Sequence, residues 1–140
     1  MISRTKHAGT NYKMMMPFVT ACRENDGYLK LESDGYMPLV IEKLWYSDCY
    51  GNPVYSIAHY GKQNGDLMRD PDITFSVSDT EKMIIPQTYQ NDYIGVYQKV
   101  FKEINGKMMY SQSLLRSLDQ FVWEWLKNIE MQGFNVENEL

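Results

Sequence analysis

An α+β fold is predicted for this chain: an antiparallel β-meander of about five strands packed against an N-terminal helix and a long C-terminal helix. Three observations predict it. Apolar residues recur at helical spacing in the last third, short alternating segments divided by turn residues fill the middle, and a helix-forming stretch comes first. The 140 residues suit one domain, expected over 1–134, with 135–140 as a loose tail.

The first helix is expected between Asn11 and Glu24. Pro17 interrupts it, and an interior proline costs about 3 kcal/mol. Either the helix begins near Met16, or Met14–Met16 forms an earlier, kinked turn. The methionine triplet reads first as core filling and second as a soft binding surface. Strands follow at Tyr28–Leu31, Tyr36–Tyr46, Val54–Tyr60 and Ile73–Val77. In the third, Tyr55, Ile57 and His59 share one face; in the fourth, Ile73, Phe75 and Val77 point inward. Met83–Ile85 starts another strand, whose Pro86 requires an edge position or a bulge. Tyr93–Phe101 fits strand or helix, with a hairpin strand favoured, returning through Asn105-Gly106 into Lys107–Tyr110. Leu114, Leu118, Phe121, Trp125 and Ile129 trace the apolar stripe of the last helix. Ser111 or Ser113 is its N-cap, and Gly133 suits the left-handed residue beyond its end. Trp123 and Trp125 cannot point the same way at a spacing of two, which puts Trp123 at a rim or an interface.

Composition narrows the function. Apolar residues make up 44% and aromatics 14%, enough for a sizeable core and against wholesale disorder. No apolar run approaches the ~18 residues of a membrane span, and the start of the chain lacks the apolar region of a secretory signal. With two cysteines only, Cys22 and Cys49, neither a disulfide framework nor a four-ligand zinc site is expected. A reduced cytoplasmic location follows, with no membrane partner. The net charge of -4 is uneven: residues 1–30 carry +3, residues 31–80 carry -5 and the rest -2. No basic stripe runs along the chain, so direct nucleic-acid binding is disfavoured beyond a short arm of Arg4, Lys6, Lys13 and Arg23. The acidic middle suits either an ordinary solvated surface or a basic protein groove.

No catalytic residues are assigned. His7 and His59 are the only histidines, and no G-x-S-x-G elbow precedes a serine. A Cys-His pair would need Cys22 or Cys49 to reach His59; a hydrogen-bonded strand histidine is the plainer reading. Gly61–Asp66 lacks the Walker spacing of a phosphate loop. The densest polar stretch, Tyr60–Asp72, is expected to form a rigid corner: Asn64-Gly65 reverses the chain and Arg69 pairs with a neighbouring aspartate. Asp66, Asp70 and Asp72 offer three hard oxygens to a divalent cation, though without EF-hand spacing, and no cofactor is otherwise expected.

The segments Tyr36–Glu42 (YMPLVIE), His59–Pro71 containing QNGDLMRDP, and Gln90–Tyr97 (QNDYIGVY), together with Trp125–Asn128 and Gln132–Phe134, resemble an uncharacterised bacterial domain family. The resemblance covers most of residues 28–134. It implies no assigned chemistry. It implies instead an accessory protein of phages, plasmids and conjugative elements, and it marks Asn64, Gly65, Asp66, Asp70, Pro71 and Asp92 without giving them roles.

The expected function is therefore a small non-catalytic protein-binding protein, within that class an inhibitor of a host defence nuclease of anti-CRISPR or antirestriction type. Its candidate contact residues are Gln63, Asn64, Gly65, Asp66, Arg69, Asp70, Asp72, Asp92 and Trp123. Three alternatives remain. One is a metal-dependent hydrolase of nucleic acid using Asp66, Asp70 and Asp72 with His59 or Lys62. Another is a nucleic-acid-binding regulator using the basic arm, and the last is a homodimer formed through Trp123.

Overall fold

The computed structural model describes residues 2–136. Its elements run in the order α1 (Ala8–Glu24), β1 (Tyr28–Leu31), β2 (Leu39–Ser47), β3 (Pro53–Gln63), β4 (Asp66–Ser78), β5 (Met83–Asn91), β6 (Val96–Lys99), β7 (Phe101–Ile104), β8 (Lys107–Tyr110) and α2 (Gln112–Met131). Strands β1 to β6 form one antiparallel sheet in sequence order, and β7 with β8 forms a separate two-stranded hairpin. The fold is α+β, with six strands in the main meander. Helix α1 contacts β1, β2 and β5, while α2 contacts β5 and α1.

Register explains the layering. Leu29, Ile41, Ile57, Ile73 and Tyr89 stand opposite one another across five strands. The first four are buried, and Tyr89 packs edge-on against Phe121 of α2. Successive strand side chains alternate faces, so this row marks the helix-covered side. Helix α2 adds Leu115, Leu118, Val122, Trp125, Leu126 and Ile129, and α1 adds Met15, Phe18, Val19 and Cys22. Each large side chain so buried contributes about 1.5–3 kcal/mol relative to exposure.

Some expectations change, while core filling by the methionine triplet and a bulge at Pro86 hold. Helix α1 starts at Ala8 and runs without a break through Pro17. Pro17 is exposed, so the carbonyl its ring leaves unpaired faces water. Met15 is fully buried and Met14 and Met16 pack partly against the core, so the triplet fills space. Strand β2 begins at Leu39 instead of Tyr36. Pro86 lies within the internal strand β5, where a register irregularity between Thr74 and Phe75 accommodates it. Residues 93–101 do not make one strand: Val96–Lys99 pairs back onto β5, and Phe101–Ile104 opens the Asn105-Gly106 hairpin.

Residues 60–72 are mostly strand, which corrects the expectation of a corner. β3 and β4 stay paired from Tyr60↔Arg69 to Gln63↔Asp66, with only Asn64 (φ 52°) and Gly65 (φ 86°) left in the turn. Both residues tolerate the left-handed conformation that such a two-residue reversal needs. Ser111 caps α2, its Oγ accepting from the Leu114 N–H at 3.2 Å, and Gly133 adopts φ 87° beyond its end. Of the expected loose tail, Val136 packs partly against the core, and residues 137–140 lie outside the described residues.

Candidate partner-binding face

The face of the sheet turned away from the helices carries two further rows. Tyr28, Glu42, Ser56, Thr74, Thr88 and Lys99 form one; Lys30, Val40, Ala58, Asp72, Gln90 and Tyr97 form the next. The centre is polar and internally bonded. Ser56 Oγ donates to Asp72 Oδ1 at 2.9 Å, and the Thr74 and Thr88 hydroxyls share a hydrogen bond. Aromatic and aliphatic groups stand toward the edges: Tyr28 is 47% exposed, Tyr97 59% and Leu67 62%. On the β1 side lies a groove of about 490 Å³, lined by Tyr28, Lys30, Pro38, Val40, Glu42, Tyr60, Gly61, Lys62 and Leu67. Burial raises the pKa of Tyr60 and Tyr46 above the usual phenol range, so both remain neutral hydroxyls at physiological pH.

Three of the expected contact residues, Arg69, Asp72 and Asp92, come together beside this face. Arg69 lies 3.6 Å from the Asp72 carboxylate and 3.6 Å from that of Asp92. Arg69 and Asp92 are tied reciprocally: the Arg69 backbone N–H donates to the Asp92 side-chain Oδ2, and the Asp92 backbone N–H to the Arg69 carbonyl, both at 2.9 Å. Asp70 accepts from the Asn91 amide at 2.8 Å, and Asp92 also accepts from Gln90 at 3.0 Å. The Arg69 backbone N–H, aided by Gln90 and the Arg69 charge, holds Asp92 below the usual carboxylate range. Asp72 is displaced upward, because its burial outweighs the Ser56 hydroxyl and the Arg69 charge. Gln63, Asn64, Gly65 and Asp66 stand apart at the exposed hairpin tip.

Trp123 belongs to α2 and not to this network. Its ring stacks on His7 at 4.3 Å and lies under the Lys127 ammonium at 3.4 Å. Sequence reasoning missed Trp45, which is 93% exposed and meets Tyr46 edge-on. The signal was the run Leu44-Trp45-Tyr46, since three consecutive apolar residues in a strand cannot all face one core.

The groups considered for chemistry are engaged otherwise. His59 is buried against Trp125 and Phe134, with Nδ1 3.1 Å from the Met37 carbonyl, and burial lowers its pKa. Cys22 is buried with Sγ 3.6 Å from the Ile41 carbonyl; burial raises both its thiol and that of Cys49, which disfavours thiolate. Among the described residues no group of three or more His, Cys, Asp or Glu is arranged to hold a metal ion. The basic arm does not gather either: Arg4 donates to the Glu81 and Lys82 carbonyls, and Arg23 pairs with Asp79 and Tyr55. No helix is long and apolar enough to cross a membrane among the described residues.

Fold and face together define a small α+β protein whose sheet is covered by helices on one side and offers a partly open aromatic and polar surface on the other. The chain belongs to the family described as Domain of unknown function (DUF6908), which matches residues 10–135. Comparisons with curated proteins and with solved structures return no match. Membership of an uncharacterised domain family is what the quoted segments implied.

Proposed function

We propose that this protein is a non-catalytic binding protein of a phage, plasmid or conjugative element, and that it inhibits a host defence nuclease in the cytoplasm. The sheet face turned away from the helices is its contact surface through its exposed rim, since Ser56 and Ala58 at its centre are buried. The observation that carries this reading is the pair of exposed tyrosines, Tyr28 and Tyr97, at opposite edges of a polar centre already bonded within the sheet, beside the groove at Val40, Tyr60 and Leu67. Rigid aromatics at a protein surface provide contact area at small entropic cost and anchor interfaces. The partner surface is basic, because residues 31–80 carry the acidic excess of the chain and supply Glu42, Asp66 and Asp72 to this side.

The test is a cleavage assay with purified CRISPR effectors and restriction endonucleases, run with wild type, Tyr28→Ala/Tyr60→Ala and Glu42→Lys. Support is inhibition by wild type that both variants weaken by about tenfold or more, the scale expected for interface anchors. No inhibition anywhere in the panel, or inhibition indifferent to both variants, would remove the reading.

A further inference from the structure

A second cleft lies on the other side of the molecule, where the segment Ile2–His7 crosses α2. It measures about 470 Å³, within the range of roughly 300–1,000 Å³ typical of small-molecule sites, and Lys6, Arg116, Tyr110 and Gln112 are among its lining residues. Its charge runs against that of the whole chain. Arg4, Lys6 and Arg116 line it against one carboxylate, Asp119, in a protein of net charge -4.

That carboxylate is already occupied. Asp119 accepts from Thr5 Oγ1 at 2.6 Å, the His7 backbone N–H at 2.9 Å and Asn11 Nδ2 at 3.4 Å. It makes no ion pair with Lys6 or Arg116, and no other described residue does, so its single charge stands against three cations in the cleft. The Tyr110 hydroxyl and the Gln112 amide also have no hydrogen-bond partner among the described residues. Four unengaged donors thus border one concavity whose floor includes Ile2 and Leu115.

We propose that this cleft binds a small anionic ligand, with an oxyanion head held by Lys6 and Arg116 and an apolar body against Ile2 and Leu115. A guanidinium grips a phosphate or carboxylate through two parallel hydrogen bonds, and an ammonium adds a point charge. Either oxyanion fits the same donors. The site is independent of the sheet face, so its failure leaves the nuclease reading untouched.

Heteronuclear NMR on the full chain tests it, with inorganic phosphate, adenosine monophosphate and octanoate titrated at constant ionic strength. The expected result is a saturable shift of the Lys6, Gln112 and Arg116 amides by at least one probe. Lys6→Gln and Arg116→Gln should each weaken that binding about tenfold, the scale of one charge-assisted hydrogen bond. Lys62→Gln on the sheet face should leave it unchanged. Tighter binding of adenosine monophosphate or of octanoate identifies phosphate or carboxylate as the natural head group. The proposal is overturned if no probe saturates or if neither cleft variant changes affinity.

Discussion

The backbone N–H of His7 donates to the Asp119 carboxylate at 2.9 Å, joining residues 112 positions apart. Thr5 Oγ1 completes the clasp on the other carboxylate oxygen, which fastens the chain ahead of α1 onto the middle of α2. Removing the acceptor leaves buried donors without partners. Asp119→Ala is expected to cost about 2–4 kcal/mol and Thr5→Ala about 1 kcal/mol. Urea unfolding measures both, and equal midpoints for Asp119→Ala and wild type would refute the clasp.

His59 sets an acid limit on stability. Burial lowers its pKa in the folded protein, with only small compensation from the Met37 and Pro38 carbonyls and the Asp70 charge. The unfolded chain therefore takes up the proton first. Stability from this group is complete above about pH 6.5, the unfolded value, and is lost as pH falls through the lower folded value. Urea midpoints measured from pH 8 down to pH 5 should decline just below that point, and His59→Asn should flatten this part of the profile.

Asp72 has the opposite sign. Its folded pKa is raised, so its protonated form is favoured by folding and its contribution fades as pH rises through the folded value. In its ionised form it carries a burial penalty that Ser56 and Arg69 only partly offset. Asp72→Asn is expected to raise the denaturation midpoint at pH 7, where Arg69 still has Asp92. A loss above about 1 kcal/mol would mean that the pairing outweighs burial.

Gly61 lies at a close approach of two side-chain ends. A Cβ there would collide with the Tyr93 hydroxyl and come within 3.0 Å of Met37 Sδ. Both atoms lie near the ends of side chains that can turn aside, Tyr93 being 42% exposed, so Gly61→Ala should cost no more than about 1 kcal/mol, the low end of overpacking. Adding Tyr93→Ala should recover part of the loss in a double-mutant cycle.

Trp123 is engaged within its own chain. Loss of the His7 stack and of the Lys127 contact should make Trp123→Ala cost about 1–2 kcal/mol. Light scattering should give the same mass for the variant as for wild type. A fall in mass would instead place Trp123 in an interface between copies.

The legible parts of this fold are those where burial imposes a period. Leu118, Val122, Trp125 and Ile129 announced α2, and Ile73, Phe75 and Val77 announced the core of β4, because one face meets apolar neighbours and the other meets water. Beyond the helices, the ends of β3 and β4 are exposed on both faces. No alternation is imposed there, and Tyr60–Asp72 read as a corner. The candidate site was half legible for the same reason: an aspartate cluster is visible along the chain, but Arg69 meeting Asp92 depends on β5 lying beside β4.

Local chemistry was enough to place α2, to narrow its cap to Ser111 or Ser113 and to mark the Asn64-Gly65 and Asn105-Gly106 reversals, since each depends on neighbours within a few positions. Three things emerged only when distant segments packed: Asp119 as the anchor of the N-terminal segment, the neutral buried state of His59, and which face of the sheet stays uncovered. Each is set by what lies across space from a residue, and side-chain alternation along a strand distinguishes two faces without saying which one a helix will cover.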